Sequence, residues 1–126
     1  MGWLDLFWPR PARRRRPPES RRPPHPDDLA RIAELEQRGS RLDLPHPIHA
    51  LLTLGSEAAG RLAADRLERA GYRCALRSRR DGAWSLTATL TLVPSPGAIT
   101  GLREQLEEVA SDLGGAYEGW EAPIVY

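Results

Sequence analysis

The chain holds few side chains that do chemistry, and their spacing argues against a catalytic use. His46 and His49 stand three apart in "HPIH", with Asp43 close by. A metal site needs three or four converging ligands. On an extended chain residues three apart point to opposite faces, so these imidazoles do not converge. Both are read as satisfied or exposed histidines. Cys74, the only cysteine, falls on the inward parity of a strand, where a thiol is inert. Glu118 and Glu121 flank Trp120, and their odd spacing sends them to opposite faces, which does not suit an acid–base carboxylate pair. "PSPGAITG" could turn a helix N-terminus toward an anion, but it lacks the lysine and spacing of a phosphate loop. No enzyme, cofactor or metal is expected.

The elements that carry these residues are well marked. Asp27 is read as the cap of a short helix over 28–38, with Leu29, Ile32, Ala33 and Leu35 toward one side and Gly39 as its stop. "SRLDLPHP" then runs extended, because residues before proline avoid the helical region. "IHALLTLG" alternates, with Ile48, Ala50, Leu52 and Leu54 on one face. Ser56 caps a helix over 57–70 whose stripe is Ala59, Leu62, Ala63, Leu67 and Ala70. Two strands follow around "RRDG". Ser95 and Pro96 then start a helix near 96–113, with Ile99, Leu102, Leu106, Val109 and Leu113 at spacings of three and four. A last strand closes the chain.

Burial decides the hairpin register. A two-residue loop would set arginines among leucines. A three-residue loop, Arg80-Asp81-Gly82, pairs Leu76 with Leu86, Cys74 with Ala88 and Tyr72 with Leu90. A slip by one residue reverses every side chain, so the second register is predicted, with Gly82 in the left-handed region. The order β-α-β-β-α-β predicts a ferredoxin-like α+β sandwich: a four-stranded antiparallel sheet, order 4-1-3-2, with two helices on one face and a short helix in front. The other face presents Arg73, Ala75, Arg77 and Arg79 beside Ser85, Thr87, Thr89 and Thr91, joined by His49, Leu51 and Thr53. Such a face could meet nucleic acid, although its central strands lack the outward aromatics on which RNA-recognition sheets stack bases.

Charge is divided unevenly. Residues 1–26 carry seven arginines against two acids, +5, and the remainder eleven arginines against fifteen acids, −4; every one of the 18 basic residues is arginine. The segment 9–26, "PRPARRRRPPESRRPPHP", is read as a disordered, partly polyproline linker, which sets a tail over 1–26 apart from a domain over 27–126. Before it, Trp3, Leu4, Phe7 and Trp8 share one face if helical, which allows weak membrane or partner docking through residues 1–16. No apolar run approaches the ~18 residues of a membrane span. The order of apolar and basic residues at the start is the reverse of a secretory signal. A cytoplasmic protein is expected, and the lone cysteine permits a reducing compartment.

"AYEGWEAPIV", residues 116–125, places two of the chain's few aromatics near its end. With the preceding "EEVASDLGG", the motif Tyr117-Glu118-Gly119-Trp120 resembles the C-terminal signature of the bacterial regulator of ribonuclease activity B family, the protein inhibitors of ribonuclease E. The pattern from "LAR" through "LERAGY" is similar to that family's opening helix, first strand and next helix. The resemblance covers roughly 28–125 and implies a ferredoxin-like, non-enzymatic protein that binds a ribonuclease and modulates RNA decay. Tyr117 and Trp120, three apart, are expected on opposite faces of an edge strand, one anchored under the helices and one exposed, with Gly119 allowing a bulge. The candidate partner-binding residues are Tyr117, Glu118, Gly119, Trp120 and Glu121, with Arg73 and Arg77 on the open face. The alternatives are RNA binding by the arginine-bearing face and basic tail, or a peripheral membrane-surface adaptor.

Overall fold

Alternation along the strands separates a dry side from a wet one, and the computed structural model, which describes residues 17–126, is built on that division. The order is α1 (Pro26–Gln37), β1 (His46–Leu54), α2 (Glu57–Arg69), β2 (Arg73–Ser78), β3 (Trp84–Leu92), α3 (Pro96–Asp112) and β4 (Ala116–Glu121). The antiparallel sheet runs β2-β3-β1-β4, which is the expected order read from the other edge. Three helices and this sheet make an α+β, ferredoxin-like arrangement. The expected tail residues 1–16, with Trp3, Leu4, Phe7 and Trp8, lie outside the described residues. Among those described, no helix is long and apolar enough to cross a membrane.

The hairpin takes the register that burial demands. Leu76 pairs with Leu86 and Cys74 with Ala88. The Arg79 N–H donates to the Ala83 carbonyl at 2.8 Å, closing a loop of residues 80–82 in which Gly82 has φ +87°. Ile48, Ala50, Leu52 and Leu54 of β1 and Leu86, Ala88, Leu90 and Leu92 of β3 are buried beneath the helices. Ile99, Leu102, Leu106 and Val109 of α3 meet them from above. Cys74 is half-buried, and burial pushes its thiol up to about 11. Because burial disfavours the thiolate, this group leaves stability unchanged below the ordinary thiol range and lowers it as pH rises toward 11. Alkylation of Cys74 should therefore stay slow at pH 8 and accelerate only well above pH 9, a rate that an iodoacetamide mass shift would follow.

Two helices turn differently from their hydropathy. In α1 the cap is His25, whose Nδ1 accepts from the Asp27 N–H at 3.1 Å, rather than Asp27 itself. Pro26 is suited to the first helical position, so the helix begins earlier than predicted. Its inner face is Asp28, Ile32 and Leu35, while Leu29 and Ala33 face outward. In α2 Leu62 is 57% exposed, and the inner face is Gly60, Ala63 and Leu67. A Cβ on Gly60 would stand 2.6 Å from Leu76 Cδ1, so this helix lies close on β2 through its smallest residue.

Both ends of the described residues are tied down. Residues 17–25 carry no helix or strand, yet part of the expected linker is held against α3. Ser20 N–H donates to the Gly97 carbonyl at 3.0 Å, and the Ser95 hydroxyl donates to Glu19 Oε1 at 3.0 Å. The Pro18 carbonyl occupies the space where Gly101 would carry a Cβ. At the other end, the Arg41 N–H donates to the Val125 carbonyl at 2.7 Å and the Val125 N–H to Ser40 Oγ at 2.9 Å.

Candidate functional site

The last strand is built around one extra residue. Leu51 pairs with Gly119 and Leu52 with Tyr117, so Glu118 is left over as a bulge. Gly119, at φ +107°, supplies the left-handed backbone that the bulge requires. The bulge cancels the odd spacing. Trp120 pairs with Ala50 and Tyr117 with Leu52, both of which are inward positions. The expectation that one aromatic faces the open side is therefore overturned: both turn toward the helices, and Trp120 is 5% exposed.

Under the helices these aromatics meet a buried charge. Asp28 of α1 is 1% exposed. Its carboxylate accepts from Arg103 Nε at 2.8 Å, Arg103 Nη2 at 2.9 Å and Trp120 Nε1 at 3.0 Å. The Arg103 guanidinium lies 5.2 Å from the centre of the Tyr117 ring, within cation–π range. Its hydrogen bonds to Asp28 hold its own proton above the usual arginine range. Burial pushes the Tyr117 phenol up and keeps it neutral, and its hydroxyl has no hydrogen-bond partner among the described residues. A forked donor, a carboxylate and an indole thus pin α1, α3 and β4 together.

Two recesses flank the bulge. One of about 390 Å³ lies between α1 and β4, with Asp27, Arg31, Glu34 and Glu118 in its wall. The other, about 280 Å³, includes His49, Leu51, Glu118 and Glu121. Arg31, Glu118, Gly119 and Trp120 line both. Glu118 and Glu121 are exposed, and Glu121 stands across from His49 on the open face. Arg73 and Arg77 are exposed on β2, at the opposite edge. Three strand spacings, about 14 Å, separate that edge from β4. The structure therefore brings Tyr117 through Glu121 together and leaves the two arginines apart from them.

Residues with catalytic potential are engaged elsewhere. His46 is fully buried; its Nδ1 lies 2.7 Å from the Leu44 carbonyl and must donate there. Its Nε2 then accepts the Ser40 hydroxyl, which itself accepts the Val125 N–H. This pair fastens the C-terminal segment. His49 lies on the open side, Nδ1 2.8 Å from Thr89 Oγ1, so the two imidazoles do diverge. No group of three metal-ligating side chains occurs among the described residues. Asp43 is held below the usual carboxylate range by its hydrogen bond from Arg41. Asp28, Arg31 and Arg103 went unseen in the sequence. The available signal was Asp28 at i−4 from Ile32 and Arg103 within the apolar stripe of α3.

A family model described as regulator of ribonuclease activity B matches residues 27–122, which span α1 through β4. No curated protein matches the chain.

Proposed function

The chain belongs to the regulator of ribonuclease activity B family, and from that premise we propose that it inhibits a ribonuclease E-like enzyme by presenting the bulged edge of β4. The family is regulatory and non-catalytic, so the chain acts on ribonuclease activity through a protein partner. Edge strands carry unpaired backbone groups that an incoming segment can join. The observation that carries the reading is the bulge itself. It sets Glu118 at the meeting of two recesses, with Glu121 exposed beside it. Tyr117 and Trp120 position this edge from beneath, and Gly119 gives it its shape. We place this action in the cytoplasm.

Charge reversal tests the reading without disturbing the core, because Glu118 and Glu121 are exposed. The double variant Glu118→Arg/Glu121→Arg should stay folded and lose at least about tenfold in affinity for the ribonuclease, with inhibition falling in parallel. Calorimetric titration against the purified enzyme gives the affinity. An unchanged affinity would remove the β4 edge from the interface.

A further inference from the structure

The open face carries two arginines on β2 that the β4 reading does not use. Cross-strand pairing arranges it in columns. Arg73 stands beside Thr89, which stands beside His49. Arg77 stands beside Ser85, which stands beside Thr53. Between these polar columns runs a third of Ala75, Thr87 and Leu51, the last 38% exposed. No acidic residue of β1, β2 or β3 occurs on this face. Neither Arg73 nor Arg77 has a carboxylate partner among the described residues. Arg79, just past the end of β2, adds a third guanidinium near Thr53, although it also pairs with Asp81.

We propose that this face of the sheet binds single-stranded nucleic acid through its phosphodiester backbone. Arginine and hydroxyl groups are the usual donors to phosphate oxygens, and here Arg73 and Arg77 each have a hydroxyl as cross-strand neighbour. Four residues of strand set the Cα atoms of Arg73 and Arg77 about 13 Å apart, so the two side chains can reach separate phosphates. The shallow column of Ala75, the Thr87 methyl and Leu51 gives the sugars and bases an apolar floor. Contacts made to phosphate and sugar carry no sequence information, so binding is indifferent to sequence. Glu121, directly across from His49, and Glu118 repel phosphate from the β1–β4 side and confine the strand to β2 and β3. A membrane surface fits poorly, because this face lacks the large apolar side chains that insert into a bilayer. The site shares His49, Leu51 and Thr87 with the recess beside Glu121, but its two arginines belong to β2 and take no part in the β4 reading.

Fluorescence anisotropy of the full-length chain with labelled single-stranded RNA and DNA oligonucleotides tests the proposal. The arginines of the tail also attract phosphate, so two variants are compared. Arg73→Gln/Arg77→Gln should weaken binding at low salt by at least tenfold, for RNA and DNA alike. It should also flatten the plot of log affinity against log salt by about 1.4, since each phosphate contact to a single strand contributes about 0.7. Replacing Arg13 through Arg16 with glutamine should leave the Arg73/Arg77 effect in place. Binding that vanishes only with the tail replacement, or no binding to either oligonucleotide, overturns the proposal. So does an Arg73/Arg77 effect seen with anionic vesicles and not with oligonucleotides.

Discussion

Arg103→Ala should destabilise the domain by about 3–5 kcal/mol, the range for a buried ion pair broken on one side. Asp28 is 1% exposed, and two of its three donors come from that one guanidinium. Removing them leaves a carboxylate in a dry site with the Trp120 indole alone. Urea denaturation followed by circular dichroism gives the value. The apolar double variant Asp28→Leu/Arg103→Met should recover much of the loss, because two charges no longer need desolvation. If Arg103→Ala instead costs less than about 1 kcal/mol, as for an exposed pair, the network does not hold α1 in place.

Trp120 gives the second large effect, and the bulge determines how it must be tested. Trp120→Ala should cost about 3–5 kcal/mol, as for other buried large-to-small replacements. Trp120→Phe keeps most of the apolar contact and loses only the indole N–H to Asp28, which costs about 1.5–3 kcal/mol for a charged acceptor. Because the ring is buried, Trp120→Phe should retain ribonuclease inhibition per folded molecule. A Trp120→Phe protein that is fully folded yet inactive would make the indole a direct contact. Thermal melts read beside inhibition assays separate the two.

The strands and the hairpin register were legible because each rests on a period of two that burial enforces. Leu76, Leu86 and Leu90 could face the helices in only one alignment. The caps at Ser56 and Ser95 were legible for a local reason: each hydroxyl accepts an N–H three residues on. What escaped depends on distant partners. Apolar spacing cannot show that Asp28 is an inward residue of α1, since its place is fixed by Arg103, 75 residues away. Gly60 took the inner place assigned to Leu62 because β2 comes too close for a larger side chain. The β4 bulge was foreseen only as something Gly119 allowed. One uncounted residue there moved an aromatic from the wet side to the dry one.

The hollow on α3 at Gly97 and Gly101 changes where a self-standing fragment can be cut. The family match starts at residue 27, but the Pro18 carbonyl and the Ser20 amide already fill that hollow. A fragment trimmed to the match would leave two glycines of a long helix bare to water, and glycine favours a helix least of all residues except proline. A fragment that keeps this hollow filled must therefore begin no later than Pro18.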